Sequence, residues 1–481
     1  MHMHNMINHK TRNNYPDWVL KYWTEGTLVM RRRDHYYLYR VSSKWNPEKK
    51  RSQMKTGEYL GRITPDGLIE PKTKRVMKLY SQIAVKEYGA SFLVNHISGD
   101  MIRSLKKHFP QWKEIFIFSM MRLIHVSPLK NVEFHYSTSY LSETVPDAHV
   151  STESLSDLLR DIGMDRKSVT EFMKDFMKDD RYLAVDLTHV LSMSENIISA
   201  TLGHNSMEEY LPQVQVLLLF SLDHDMPAYF RMLPGSINSV ASLKTTMEET
   251  ERKNIVLVAD TGFYSRSNTE ALSSMGIYFI MPMRRNSRLI DYTISMEKHF
   301  MFQDHPIFYS RYIRDDLTMF TFKNDFLKAE EQKDYLRRHE KGSETTFRKL
   351  RERMGTISVV TNLKVSGEIV YGMLKSRTDI EQSYDTFKNT IHADRTYMRD
   401  DLHLQGWMFV NFIALTMHYR IYNILKKMDL LSHYSPEDII KHLERVYMLK
   451  MDEEWKISEI PKKSRIIIEK LKIPIMQNSG S

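Results

Sequence analysis

The chain has 481 residues, of which 42% are hydrophobic and 11% aromatic, as expected of a globular protein. Because that length exceeds one ordinary core, we expect two or three domains. No apolar run reaches about 18 residues, and the first ten residues lack a secretory core, so we expect neither a membrane span nor export. The absence of cysteine excludes disulfides, thiolate metal sites and thiol nucleophiles, and it is compatible with a cytoplasmic location.

The formal net charge of +9 favours a polyanionic partner such as nucleic acid. Most of the excess lies in the N-terminal quarter of the chain, where Lys and Arg greatly outnumber Asp and Glu over residues 31–55 and again over residues 71–113. We therefore assign residues 1–179 to a basic, DNA-binding N-terminal region. Its candidate DNA-binding residues are Arg31, Arg32, Arg33, Lys106 and Lys107.

Local patterns divide this N-terminal region into a hairpin and several helices. Residues 36–63 contain two β-type runs around a basic linker, and the apolar spacing becomes helical from about residue 76 to 125. Residues 151–178 have a helix-turn-helix-like pattern, with Ser151 or Thr152 as the N-cap and Gly163 at the break. This pair is either a DNA-recognition element or an ordinary helical hairpin.

From residue 181 the pattern changes to strands that alternate with helices, which indicates an α/β domain with a mixed sheet under helices. Residues 284–356 interrupt the order and are dense in both charge signs, so we interpret them as an insertion with a charged helical stretch. Strand character returns at 357–363 and helical character at 374–391. We place this domain at residues 180–425 and a helical C-terminal tail at 426–481, with Ser435 as a helix cap.

Two aspartates stand out in the α/β region. Asp186 lies inside the apolar run Leu183–Leu187, where burying an unpaired carboxylate is costly. Asp260 follows the apolar run Ile255–Ala259, and ligands gather at the carboxyl ends of strands in α/β sheets. Each has an ordinary alternative, because an aspartate after a strand often caps the next turn.

A third carboxylate lies between two cations on a predicted helix. Arg377, Glu381 and Lys388 are separated by four and seven residues, which places them within roughly 40° of one another on a regular helix. The neighbouring apolar stripe would seat this helix on the sheet; it consists of Ile380, Tyr384, Phe387 and Ile391. Alone, Arg377 and Glu381 are equally compatible with a surface i,i+4 pair.

Together these segments resemble insertion-sequence transposases of the DDE class, in the group with a Y-R-E-K signature around the catalytic glutamate. Arg377, Glu381 and Lys388 match that signature, whereas Leu374 occupies the tyrosine position. The segments LVADTGFYS and YLAVDLTHV resemble the family's second and first aspartate segments. The resemblance covers about residues 180–425. It implies a ribonuclease-H-like fold and an insertion before the glutamate, where residues 284–356 lie.

The resemblance also implies the chemistry. Asp186, Asp260 and Glu381 are the expected catalytic residues and ligands of two Mg²⁺ or Mn²⁺ ions, with Asp186 bridging both. Arg377 and Lys388 are expected to hold DNA phosphates. The expected partners are double-stranded DNA, as terminal inverted repeats and as target, and a second copy of the chain, since two ends must meet. We expect a cytoplasmic, nucleoid-associated, prokaryotic protein.

Two rival functions remain, namely a purely hydrolytic nuclease on the same fold and a catalytically inactive DNA-binding protein derived from a transposase. The second remains open because Leu374 replaces the tyrosine of the signature.

Three further residues could be functional but have simpler interpretations. His189 would be a packing residue of a strand, His224 lies in a turn between two aspartates, and Trp407 would be core rather than a platform for an extruded base.

Overall fold

The computed structural model describes residues 15–46, 51–71, 83–192, 194–202, 212–235, 239–338, 344–393, 395–396, 398–451 and 454–475. The chain divides into two compact units. One comprises Met1–Val85 and Leu449–Lys456, and the other comprises Lys86–Met448 and Ile457–Ser481. The division into three functional regions made from the sequence stays a prediction.

The smaller unit contains a four-stranded antiparallel sheet. Its elements are α1 (Asp17–Leu20), β1 (Thr27–Arg32), β2 (His35–Asn46), β3 (Arg51–Thr64) and β4 (Gly67–Ile69). The strands pair in chain order, and the pairing of β2 with β3 coincides with the predicted hairpin. Val19 on α1 packs with Val29, Tyr36, Leu38 and Ile63 from the first three strands in a small core.

The larger unit begins with helices. After strand β5 (Ile83–Glu87) come α2 (Gly89–His96), α3 (Gly99–His108), α4 (Trp112–His125), α5 (Val132–Thr138), α6 (Leu141–Thr144), α7 (Thr152–Met164) and α8 (Arg166–Phe176). The last two form the pair seen in the sequence. Ser151 caps α7 by accepting a hydrogen bond from the Ser154 N–H, and Asp165 caps α8 in the same way through Ser168. Helix α7 does not break at Gly163 but continues to Met164.

A mixed sheet forms the centre of this unit. Its first strands and helices are β6 (Tyr182–Ser192), β7 (Thr201–Leu202), β8 (Pro212–Ser221), β9 (Met226–Pro234), α9 (Ser239–Thr250), β10 (Val256–Ala259), α10 (Arg266–Ser274) and β11 (Tyr278–Met283). Strands β9, β8 and β6 are antiparallel neighbours, whereas β6, β10 and β11 run parallel. The order β9-β8-β6-β10-β11 confirms the predicted ribonuclease-H-like fold.

The insertion extends this sheet. Its elements are β12 (Lys298–Phe302), β13 (His305–Arg314), β14 (Leu317–Asn324), α11 (Asp325–Arg338) and α12 (Glu344–Arg351), and strand β15 (Thr356–Thr361) follows it. Strand β15 pairs antiparallel with both β11 and β14, so β15 and the three inserted strands continue the sheet beyond β11. The sequence predicted the charged helices and β15 but not β12–β14.

The remaining elements of the chain are mainly helical. They are α13 (Gly367–Ser376), α14 (Thr378–Asp385), β16 (Arg395–Thr396), α15 (Asp401–Lys427), α16 (Pro436–Leu443), β17 (Tyr447–Met451), β18 (Glu454–Ile457) and α17 (Lys462–Lys470). Most of β17 and β18 belongs to the smaller unit, and the other elements belong to the larger one. A π-helical turn over Thr386–Thr390 follows α14, and Ser435 caps α16 as predicted. Two short strands thus add to the predicted helical tail. Among the described residues, no helix combines the length and apolar character that crossing a membrane requires.

Candidate active site

The two aspartates lie side by side on neighbouring parallel strands. Val185 of β6 pairs with Ala259 of β10, so Asp186 and Asp260 each stand one residue further along. Asp186 is in the middle of its strand, where the apolar run continues on both sides and the side chain is only 21% exposed. Asp260 follows the last residue of its strand and begins a 3₁₀ turn over Thr261–Phe263, with 46% exposure. Adjacent strands therefore bring the two carboxylates to one edge of the sheet.

Helix α14 presents Glu381 to the same place. Its apolar stripe is buried, as the sequence predicted, and Tyr384 adds a contact that the sequence did not indicate. The Tyr384 hydroxyl donates a hydrogen bond of 2.6 Å to the backbone carbonyl oxygen of Asp186. Because Tyr384 lies three residues after Glu381, this bond fixes the helix against β6 beside the first aspartate. A hydroxyl on an otherwise apolar stripe was the only signal for it in the sequence.

Arg377 lies at the centre of the three carboxylates. Its Nη1 is 3.5 Å from Asp186 Oδ2, and its Nη2 is 3.7 Å from Asp260 Oδ1 and 2.5 Å from Glu381 Oε1. The arginine side chain is 17% exposed, less than any of its three partners. One guanidinium thus partly neutralises three converging negative charges.

The environment of Asp186 raises its pKa to about 6. Burial is the main cause, because it disfavours the charged carboxylate, and the nearby charges of Asp260 and Glu381 act in the same direction. The backbone N–H of Leu187, 2.8 Å from Asp186 Oδ1, and the Arg377 guanidinium oppose the rise. Three carboxylates around a single arginine leave an excess of negative charge, as expected where a further cation binds.

Comparison with known proteins identifies the domain that carries this site. Residues 178–417 match the family model described as "Transposase DDE domain". The chain belongs to this family. No curated protein matches the chain.

Two solved transposase structures are similar to the chain at low identity. One is the synaptic complex of piggyBac transposase with hairpin DNA, with 12% identity and a TM-score of 0.39 over 69% of this chain and 70% of that chain. The other is the Mos1 transposase paired-end complex with the left transposon end, with 10% identity and a TM-score of 0.15 over 31% and 56% of the respective chains.

DDE transposases generally use divalent metal ions, and the donor set of this DDE domain suits them. Three carboxylates offer the hard oxygen ligands that Mg²⁺ and Mn²⁺ prefer, and they already converge on one cation, Arg377. Within the described part of the chain, no three His, Asp or Glu side chains already have the spacing of metal ligands. The donor chemistry therefore fits a metal, and coordination requires the carboxylates to come closer together than they are around the guanidinium.

Lys388, the last residue of the signature, lies where the helix changes its winding. It is within the π-helical turn over Thr386–Thr390, and its side chain is partly buried. A second irregularity is at Arg377, which separates α13 from α14. The single regular helix assumed for residues 374–391 is therefore wrong in detail, since a π turn alters the angle between Glu381 and Lys388. The phosphate contact of Lys388 stays a prediction.

The basic residues proposed for DNA binding differ in their surroundings. Arg31 and Arg32 end β1 and Arg33 begins the turn to β2; all three are exposed. On α3, the Lys106 ammonium lies 4.4 Å from the centre of the Trp112 ring, and Lys107 pairs with Asp175 at 3.1 Å. Lys107 thus has a carboxylate partner within the protein, and the DNA contacts of all five residues stay predictions.

The three secondary candidates, His189, His224 and Trp407, lie in positions that suit ordinary structural roles. His189 lies on β6, opposite Gln215 of β8. His224 lies in the β8–β9 turn, where its Nε2 is 3.6 Å from Asp180 and the flanking Asp223 accepts hydrogen bonds from the backbone of Arg181 and Tyr182. Trp407 is 6% exposed within α15, as expected of a core residue.

Proposed function

We propose that this protein is a transposase that binds the ends of its own element and performs metal-dependent strand cleavage and strand transfer. The observation that carries the proposal is the convergence of Asp186, Asp260 and Glu381 on Arg377 at one edge of the sheet in a DDE domain. A structural ion pair would need one carboxylate for one arginine. Three carboxylates around one arginine are better explained by a site that exchanges cations.

In this proposal Asp186, Asp260 and Glu381 would hold two Mg²⁺ or Mn²⁺ ions. When bound, such ions activate a water or a DNA 3′-hydroxyl and stabilise the leaving oxygen of an in-line displacement. The fold of the chain positions the three carboxylates relative to one another. The Tyr384 hydrogen bond holds α14 against β6, so that Glu381 faces the two aspartates.

Arg377 has two successive roles in this proposal. Without metal it neutralises the three carboxylates, and when metal and DNA bind it releases them and turns to a backbone phosphate. A guanidinium suits both roles because it forms bidentate hydrogen bonds with carboxylates and with phosphates alike. Lys388 would hold a second phosphate as a point charge.

The DNA partners follow from the same proposal. Terminal inverted repeats would be bound by the basic N-terminal region, and target DNA would enter at the carboxylates. Two ends must be joined in one reaction, so we propose that two copies of the chain assemble as a dimer on DNA. Arg31, Arg32 and Arg33 are exposed, and no carboxylate partner is shown for them among the described residues. Their positive charges are therefore available to DNA phosphates.

A strand-transfer assay tests the proposal directly. Short inverted repeats in the DNA flanking the gene would supply the end sequence, and a duplex pre-nicked at that end would be incubated with the protein, Mg²⁺ and a target plasmid. We expect joined products, because the 3′-hydroxyl of the end attacks target DNA. Hydrolysis of the end without joining would contradict a transposase and favour a nuclease on the same fold.

The inactive-scaffold alternative depends on Leu374, which replaces the signature tyrosine. Leu374 is 8% exposed and packs in a hydrophobic cluster with Val370, Tyr371 and Phe322, so leucine is well accommodated there. Titration with Mn²⁺, followed by the loss of the free-ion EPR signal, separates the alternatives. We expect binding by the wild type that Asp186→Asn weakens, whereas absence of binding by the wild type would favour the inactive scaffold.

A further inference from the structure

A cavity of about 470 Å³ lies outside the carboxylate site and has a basic lining. Its basic lining residues are Arg122, Lys130, His392, Arg399 and His403, and Trp407 also lines it. None of the described lining residues is Asp or Glu. Asp400, which lies between the lining residues Arg399 and His403 in the chain, caps α15 and makes a 2.8 Å contact with His403 Nδ1. We call this space the basic cavity.

Arg122 gives the cavity a buried charge for which the described residues show no carboxylate partner. The residue is 3% exposed, and the hydrogen bonds shown for it go to neutral oxygens. Nε donates to Asn411 Oδ1 at 3.0 Å, Nη1 donates to the carbonyls of Val126 and Ser127 at 2.9 and 3.1 Å, and Nη2 donates to the carbonyl of Ile391. Burial lowers the pKa of Arg122 to about 10, which leaves it protonated at neutral pH. A buried cation of this kind attracts an anion.

Trp407 adds an unsatisfied donor to the same lining. Its indole Nε1 is buried and has no hydrogen-bond acceptor among the described residues. Buried polar groups are normally hydrogen-bonded, so this orphaned N–H is an unusual feature beside the cavity. The Arg122 guanidinium lies 4.6 Å from the centre of the Trp407 ring and covers one face of it, which favours an anion over a stacked base.

The basic cavity is connected to the carboxylate site through β6. Thr396, in its wall, belongs to β16 and pairs with Ser192 at the end of β6. Asp186 is six residues earlier on the same strand. At 3.2–3.4 Å per residue this separation is about 20 Å. A duplex that passes over the carboxylates covers that distance in about six base-pair steps of 3.4 Å.

We propose that the basic cavity binds a phosphate of the DNA backbone, about six base pairs from the scissile bond. This inference rests on the proposed function, because only a DNA-cleaving enzyme would have a scissile bond at Asp186. The exposed Lys130 and Arg399 would contact the phosphate, and the buried positive charge of Arg122 would attract it into the cavity. Such a contact fixes the position of the duplex without reading its sequence.

The first test uses the salt dependence of DNA binding. Lys130→Ala/Arg399→Ala changes only exposed side chains, so the fold is preserved, and Lys462→Ala/Lys463→Ala on α17 removes the same charge as a matched control. Fluorescence anisotropy on an end duplex over a range of salt concentrations gives the slope of log K against log salt. We expect the slope to decrease in magnitude by about 1 in the cavity variant, because one phosphate contact is lost, and to stay unchanged in the control. An unchanged slope in the cavity variant would overturn the proposal.

The second test observes the cavity itself and separates its possible ligands. The protein is labelled with 5-fluorotryptophan, and the Trp407 resonance is assigned in the ¹⁹F spectrum through Trp407→Phe. We expect both inorganic phosphate and the end duplex to shift this resonance in the wild type. In the Lys130→Ala/Arg399→Ala variant, the same shift should require a higher concentration of phosphate or of DNA. A shift with inorganic phosphate but not with DNA would assign the cavity to a free anion and overturn the proposal. Intact cleavage alongside either negative result would leave the proposed function standing.

Discussion

At the scale of residues, Arg377 is the centre of the site, because its guanidinium contacts Asp186, Asp260 and Glu381. Arg377 and Glu381 are four residues apart on a helical segment, so their contact was predictable. The contacts of Arg377 with Asp186 and Asp260 join positions far apart in the chain, and no local pattern encodes them. The hydrogen bond from Tyr384 to the Asp186 carbonyl was missed for the same reason.

The central position of Arg377 predicts how the protein responds to metal. In Arg377→Gln the three carboxylates lose their shared cation, so mutual repulsion should lower the melting temperature measured by circular dichroism without metal. Mg²⁺ should then raise the melting temperature more in the variant than in the wild type, because the ion no longer competes with a guanidinium.

Arg266→Gln is the matched control, since Arg266 also pairs with a glutamate four residues later but is 87% exposed. We expect it to leave both the melting temperature and the Mg²⁺ response close to those of the wild type. Equal Mg²⁺ responses of Arg377→Gln and the wild type would show that Arg377 does not occupy the position of a metal.

At the scale of elements, long apolar runs were the most predictable features and irregular windings the least. Strands β6, β8, β10 and β11 are central and apolar on both faces, which makes them evident as continuous runs. Strand β12 has no buried residue and β13 buries only Ile307 and Ser310, so neither is a continuous apolar run, and both were taken as part of an insertion with a charged helical stretch. The π turn after α14 has no simple signature in composition.

Glycine 163 shows how tertiary contact can reverse a local interpretation. Gly163 lies inside α7, where a Cβ would be 2.1 Å from the carbonyl oxygen of Leu402, and Gly406 on α15 is in equally close contact with Leu159. The two glycines therefore let α7 and α15 approach each other closely. The sequence pattern suggested a break at Gly163 because glycine is a poor helix former.

Gly163→Ala should therefore destabilise the protein, by about 1–3 kcal/mol or more, because the added methyl group forces the helices apart. Gly372→Ala is the matched control, since Gly372 is also helical but a Cβ there would contact nothing within 4 Å. There we expect a gain of about 0.5–1 kcal/mol from helix propensity. Urea unfolding measures both, and a neutral or stabilising Gly163→Ala would contradict the close helix contact.

At the scale of the whole molecule, a partly buried ion-pair network connects helix α8 to the sheet and to α9. Glu249 on α9 accepts from Arg166 of α8 at 2.9 Å, from Arg231 of β9 at 2.9 Å and from the Thr170 hydroxyl at 3.0 Å. The sequence placed Arg166 and Glu249 in different regions of the chain and gave no sign of their pairing. Helix α8 is therefore bound to the sheet of the DDE domain, whether or not the helix pair contacts DNA.

The network makes stability depend on pH in a defined direction. Burial alone would raise the pKa of Glu249, but the hydrogen bonds and charge of Arg166, with Tyr229 and Arg231, lower it to about 2. A carboxyl whose pKa is depressed by folding stabilises the folded state above its unfolded pKa, near 4.3, and loses that contribution as the pH falls towards 2.

The difference in free energy of unfolding between the wild type and Glu249→Gln should therefore be largest above about pH 5 and shrink as the pH falls below the unfolded value. Glu248→Gln is the control, because Glu248 is about half exposed and only 4.0 Å from Lys244 at its nearest. Urea unfolding over a series of pH values gives both differences. A difference for Glu249→Gln that does not vary with pH would contradict the network.

The central claim is that Asp186, Asp260 and Glu381 form one metal-dependent site that cuts DNA. The most direct measurement is cleavage of end-containing DNA with Mg²⁺ by the wild type, Asp260→Ala and Asp157→Ala, the last being an exposed aspartate on α7. We predict that Asp260→Ala abolishes cleavage while DNA binding stays largely intact, and that Asp157→Ala cleaves like the wild type. Undiminished cleavage by Asp260→Ala would contradict the assignment.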